Sequence, residues 1–238
     1  MTTPLREQLG TGEHELISIV GAGGKSTVLF SLGHELAEAG CRVILTTTTK
    51  MARDQVTEPT CSSADPVAVE RCLVAGSPLF VSLDAVPGKV TGPGPEGVDR
   101  LFAETTTDHV LVEADGARSM SVKAPAEHEP VIPDTSTLVI IVAAIDAVGR
   151  RIREVAHRPE RVAAPAGLDE GDVLTVRNIA SVLLHPDGGL KAIPESARVA
   201  VVITRVTADA EQPAAELAGL LLAHPSIDRA IALAVESR

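Results

Sequence analysis

Short apolar runs alternate along this chain with segments in which apolar positions recur three or four residues apart. The first run, ELISIV at residues 15–20, is stopped by Gly21. Such a solid run suits a strand covered on both faces. Leu29, Leu32 and Leu36 then fall at helical spacing, and Gly40 supplies a stop. CRVILT at 41–46 predicts a second strand. Strand, turn, helix and strand in this order make a βαβ unit, which implies a parallel pair. The pattern predicts a helix over 65–75, a strand over 79–83, a surface loop over the turn-rich 87–97 and a helix over 98–105. It predicts strands at 109–112 and 138–144. Residues 150–195 are charged and Pro-containing, and read as a small helical insertion, with a weak helix near 173–184. A late strand at 197–204, a helix over 210–223 and a final strand at 230–235 complete the chain. The expectation is an α/β fold with a mostly parallel sheet flanked by helices, in one domain spanning 1–238.

Composition narrows the function. With three Phe, no Trp and no Tyr, the core must be built from Val, Ile, Leu and Ala, and base-stacking platforms for single-stranded nucleic acid are excluded. The net charge of −11 argues against wrapping a phosphate backbone, while leaving room for a small anion at one local site. Three Cys at 41, 61 and 72 lack metal-like spacing and read as small apolar residues in a reducing compartment. No secretory leader is visible and nowhere do 18 apolar residues run together, so the expectation is a cytoplasmic protein without a membrane span.

The most specific local feature is Gly21-Ala22-Gly23-Gly24-Lys25-Ser26-Thr27, between a buried strand and a helix. Glycines let backbone N–H groups approach phosphate oxygens, and the helix aims its positive end at the same anion. Lys25 is placed to reach the β- and γ-phosphates and Ser26 to ligate Mg²⁺. The loop departs from G-x-x-x-x-G-K-[ST]: five positions before Gly24 stands Ile19, and the opening glycine is Gly21. The resulting G-x-x-G-K-S spacing is similar to that of Mur-type ligases. Downstream, a hydrophobic strand delivers Glu113 and Asp115 at its C-terminal end, where doubly wound sheets bind ligands. Lys25, Glu113 and Asp115 are the catalytic candidates, with Asp115, nearer the turn, preferred as the Mg²⁺ partner of Ser26.

Four segments, GAGGKST, LTTTTKM (45–51), VEADGARSMSVKAPAEHEPVIP (112–133) and AHRPE (156–160), together resemble the selenium-dependent hydroxylase accessory protein family, YqeC. The resemblance covers about the first two thirds of the chain. It implies a nucleotide-binding protein that helps mature molybdenum-containing hydroxylases, with a molybdenum hydroxylase or molybdenum-cofactor protein as partner. It makes Thr47, Thr48, Lys123, Glu127, His128 and Glu129 candidates for binding nucleotide or a second substrate. From the residues alone, Thr46–Thr49 with Lys50 suit either an oxyanion contact or a β-branched strand end. The 123–129 loop suits either acid–base work or a charged surface, and His157 and Arg158 either a site or an interface ion pair. The resemblance also implies an N-K-x-D-like guanine pattern after the late strand, where this chain has Thr204-Arg205-Val206-Thr207. The cofactors expected are therefore Mg²⁺ with ATP or GTP. Three functions compete: a nucleoside triphosphatase accessory protein, a small-molecule kinase or Mur-like ligase, and a non-catalytic nucleotide-binding partner.

Overall fold

A computed structural model describes residues 3–84 and 87–234. Helix α1 (Leu5–Leu9) precedes β1 (Glu15–Gly21), α2 (Lys25–Glu38) and β2 (Val43–Thr47). Next come β3 (Lys50–Ala52), β4 (Thr60–Cys61), α3 (Pro66–Glu70), β5 (Leu79–Val81), β6 (Leu83–Asp84) and β7 (Lys89–Thr91). They lead to α4 (Pro95–Glu104), β8 (His109–Glu113), β9 (Val122–Lys123) and β10 (Leu138–Ala144). The last third holds α5 (Ile152–Val155), β11 (Ala156–His157), α6 (Pro159–Ala166) and α7 (Val176–Leu183). β12 (Arg198–Val206), α8 (Glu211–Leu222) and β13 (Arg229–Ala234) close the described chain. Among the described residues the main sheet has eight strands in the order β13-β12-β10-β1-β8-β2-β5-β4, all of them parallel.

Alternation along the central strands explains why the sheet is covered twice. In β10, Leu138, Ile140 and Val142 face one cluster, while Val139, Ile141 and Ala143 face another. The first cluster includes Val28, Leu29, Leu32 and Leu36 of α2. The second includes Val162 and Ala163 of α6, Ile179 and Val182 of α7, and Leu217 and Leu221 of α8. Helices within 150–195 therefore pack on the same sheet as β10 and β12. Among the described residues the largest fully buried side chains are Phe80 and a set of Leu and Ile.

Several sequence expectations shift. The helix expected over 65–75 ends at Glu70. Asp65 caps it by accepting from the Ala68 N–H, and Val74 instead forms an isolated bridge with Ser77. The strand expected over 79–83 breaks after Val81, because Leu83–Asp84 pairs antiparallel with β7 in a separate three-stranded sheet. The expected loop at 87–97 contains β7, and Pro95 already opens α4, its fixed φ being suited to the first helical turn. The final strand runs over Arg229–Ala234, and Val235 lies outside the described residues. No helix among the described residues is long and apolar enough to cross a membrane.

Leu32 of α2 is fully buried against the sheet, so Leu32→Ala should cost about 2–5 kcal/mol through lost transfer energy and a residual cavity. Urea unfolding checks this; a loss below about 1 kcal/mol would contradict the packing of α2.

Candidate functional site

β1 lies between β10 and β8, so the loop leaving β1 is flanked by the ends of both neighbours. Gly21 and Gly23 have φ of 95° and 82°, in the left-handed region. Both are also sterically required. A Cβ at Gly21 would stand 2.2 Å from the Val142 carbonyl oxygen, and one at Gly23 would stand 2.5 Å from the Ala144 Cβ. The Ala22 N–H donates to Val142 O at 2.9 Å, and the buried Thr204 hydroxyl at the end of β12 donates to the Gly23 carbonyl. The loop is thereby fastened to two strands. Gly24 is the N-cap of α2 and offers no side-chain cap, which leaves the first-turn N–H groups of the helix facing the loop. Thr27 is exposed in that turn.

Lys25 is only 5% exposed. Its Nζ donates to the Gly21 carbonyl at 3.0 Å and lies 3.6 Å from Glu113 Oε1 and 3.3 Å from Asp115 Oδ1. The lysine thus crosses the mouth of its own loop toward two carboxylates. These carboxylates have different surroundings. Glu113 Oε2 accepts the Ser26 hydroxyl at 2.9 Å. Burial raises the Glu113 carboxyl above its ordinary value, against the opposing pull of Lys25 and the Ser26 hydroxyl. Asp115 Oδ2 accepts the Gly21 N–H at 3.0 Å and pairs with Lys123 at 2.9 Å. Its Oδ1 is buried without a hydrogen bond and lies 3.3 Å from Lys25 Nζ. Position in the sequence favours Asp115 as the metal partner of Ser26. In the structure the serine hydroxyl meets Glu113, the last residue of β8, while Asp115 lies beyond the strand end and is engaged by the loop backbone and both lysines.

The donor set fits Mg²⁺: a hydroxyl and a carboxylate side by side at the mouth of a glycine loop are hard oxygens of the kind this ion takes in ones and twos, alongside phosphate oxygens. Ser26 and Glu113 are the residues that would hold it.

Lys123 is buried at 4% exposure between Asp115 and Glu129, and donates to Glu129 Oε2 at 2.8 Å and to the Gly116 carbonyl at 2.6 Å. Arg158 completes the row with a two-pronged contact to Glu129, at 2.8 and 3.1 Å. Burial alone would raise the Glu129 carboxyl, but the hydrogen bonds from Lys123 and Arg158 outweigh it and hold the group at about 2. The short parallel pair β9–β11 sets this geometry by placing His157 opposite Lys123. Beside the row opens a pocket of about 500 Å³. It is lined in part by Thr48, Lys50, Arg118, His128, His157 and Arg158.

Other expected site residues are accounted for differently. The Thr47 hydroxyl donates to the Glu113 carbonyl at 2.9 Å, and the Thr48 hydroxyl to the Val131 carbonyl at 2.7 Å, so both tie β2 to the acidic segment. Glu127 is exposed and outside the pocket lining; its backbone carbonyl accepts from Lys191. Arg118 was not among the expected site residues. Its left-handed φ of 48° is visible only in the fold, and no spacing rule marks it.

A glycine loop between a buried strand and a helix, on a parallel sheet, with a lysine and two carboxylates at its mouth, defines an α/β protein of the P-loop NTPase-like class. The chloroplast FtsY structure from Physcomitrella patens shares the fold, with a TM-score of 0.50 and 15% sequence identity over the whole of this chain. This chain spans 63% of that one. The YqeC protein family profile matches residues 17–160. The YqeC protein of Escherichia coli (strain K12) is 38% identical over 194 residues, which cover 80% of this chain and 75% of that protein. The chain belongs to the YqeC family.

The low value of Glu129 gives a signed expectation. A carboxylate at about 2 when folded and about 4.5 when free stabilises the fold above the unfolded value. That contribution is lost as pH falls from about 4.5 through about 2. Urea unfolding across this window should show a steeper loss of stability for the native chain than for Glu129→Gln; parallel curves would refute the assignment.

Proposed function

We propose that this chain is a Mg²⁺-dependent nucleoside triphosphate-binding and hydrolysing accessory protein for the maturation of molybdenum-containing, selenium-dependent hydroxylases. One observation carries the nucleotide reading: Lys25 stands across the mouth of a Gly21–Ser26 loop, with the Ser26 hydroxyl already on Glu113. The accessory role is supported by the four segments that carry the family resemblance, GAGGKST among them, and by family membership.

In this reading the first-turn N–H groups of α2 and the ammonium of Lys25 take the β- and γ-phosphates. Lys25 leaves the two carboxylates for the phosphate oxygens, which replaces its 3.3–3.6 Å ion pairs with charge-assisted contacts. Ser26 and Glu113 would hold Mg²⁺, which would supply charge neutralisation for the phosphates. Asp115 holds the loop backbone through Gly21 and orients the two lysines. On the other side of β1 in the sheet order, the segment after β12 is the expected neighbour of the base. There Thr207 donates to Asp209 at 2.6 Å. A threonine hydroxyl cannot accept both guanine donors as a charged, bidentate group does.

Lys25→Ala should weaken triphosphate binding at least about 30-fold, equivalent to about 2 kcal/mol. Unchanged affinity in calorimetry would reject the loop assignment. Glu113→Gln should cut Mg²⁺-dependent turnover far more than nucleotide affinity, whereas Asp115→Asn should weaken both. Retained turnover in Glu113→Gln, with turnover lost and affinity kept in Asp115→Asn, would return the metal to Asp115.

ATP and GTP should bind within about tenfold of each other, about 1.4 kcal/mol, in competition titrations. A GTP preference beyond about a hundredfold would show that Asp209 or another group reads the base.

A further inference from the structure

We propose that the pocket beside the phosphate loop binds a second ligand, a small molecule bearing a phosphate group. This deepens the nucleotide reading and rests on it only for where the triphosphate lies.

Position, size and charge carry the inference. None of residues 21–27 lines the pocket, so it is separate from the cradle that the loop forms. It gathers the segment after β2, the turn after Asp115, the loop before Val131 and the start of α6. In the sheet order the segments after β2 and β8 lie on the far side of β1 from the segment after β12. A triphosphate on the loop would therefore have its base on one side and this pocket on the other. The volume of about 500 Å³ falls within the range of small-molecule sites.

The charge is unusual for this chain. Across 238 residues the net charge is −11, yet the pocket wall presents Lys50, Arg118 and Arg158 together with His128 and His157. Among its lining residues the only carboxylate is Glu129, and Lys123 and Arg158 already cover its charge. Lys50 and Arg118 are exposed and make no ion pair among the described residues. They are free to meet a ligand. A concave wall of one sign focuses the field and concentrates the opposite ion, even on an acidic protein. The guanidinium fork matches phosphate oxygens two at a time, and Thr49 and Thr91 bring hydroxyls to the same wall. Burial, with help from Arg158 and Lys123, lowers the His157 imidazole below its ordinary value, so near neutral pH it is a neutral ring that can donate one N–H.

Backbone strain points to the same place. Among the described residues, five non-glycine residues have φ between 48° and 63°: Arg118, Ser119, Arg158, Ala192 and Arg205. Non-glycine residues rarely occupy this region, and holding each there costs about 1 kcal/mol or more. Two of these five, Arg118 and Arg158, line the pocket. At the two pocket arginines this conformation suits a preorganised anion site.

Inorganic pyrophosphate serves as the probe, titrated calorimetrically into the full chain. Two classes of site are expected. Lys25→Ala should remove one of them. Arg118→Gln, an exposed substitution, should weaken the other at least tenfold, and Lys50→Gln should weaken it in the same direction. Should Lys25→Ala unfold the chain, the native chain saturated with a β,γ-imido nucleotide and Mg²⁺ isolates the second site for the same comparison. If pyrophosphate binding vanishes with Lys25→Ala, or is the same with and without Arg118→Gln, the inference is overturned and the nucleotide reading stands. If Lys25→Ala leaves nucleotide binding intact while Arg118→Gln still abolishes a pyrophosphate site, the nucleotide reading fails and the inference holds.

Discussion

Two lysines buried at the C-terminal end of a parallel sheet impose the central constraint on this molecule. Lys25 and Lys123 are 5% and 4% exposed. An ammonium removed from water to that degree loses several kcal/mol of hydration unless carboxylates stand against it. Asp115 lies between the two lysines, Glu113 flanks Lys25, and Glu129 flanks Lys123 and is itself closed off by Arg158. The result is a continuous row of alternating charge from the phosphate loop to the pocket wall. Because breaking such a row leaves an uncompensated buried charge, its members hold one another's geometry. The Gly21 N–H is bonded to the same Asp115, so the row also fixes where the glycine loop begins.

The sheet order explains why chemistry collects there. All strands of the main sheet are parallel, so their C-terminal ends share one edge. The loop after β1 and the carboxylates after β8 become neighbours through strand pairing rather than through sequence. α2 covers one face and the 150–195 helices the other. Short ties then draw in the periphery: Thr48 bonds the Val131 carbonyl, and β11 pairs with β9. Those ties place the segments 45–51, 112–133 and 156–160, which carry the family resemblance, around a single pocket. Three of the four segments that carry the resemblance thus meet in the wall of one pocket.

Much of this was legible in the residues. The run at 138–144 coincides with β10, and β1 and α8 fall within one residue of the expected bounds at each end. Uninterrupted apolar runs leave few alternatives to a doubly covered strand. The place of the glycine loop was readable too, since its glycines fall between a solid apolar run and a helical pattern. Less was legible where the pattern is weak. The segment 79–97 departs from its pattern because β5, β6 and β7 are only two or three residues long and belong to two sheets. No local period specifies such a change of partner.

The sequence by itself determined the α/β class, the position of the glycine loop and the pair of carboxylates, because each depends on residues within a few positions of one another. The tertiary structure alone decided what those residues meet. Ser26 and Glu113 are 87 positions apart, and only the β1–β8 pairing makes the hydroxyl choose Glu113 over Asp115. Lys123 looked like part of a surface loop, yet it is buried because Asp115 and Glu129 converge on it from either side. Glu127, two positions from Glu129, stays outside the site because its neighbour alone faces Lys123 and Arg158. Arg118 enters the pocket through a backbone conformation that its identity disfavours and only the surrounding fold can hold.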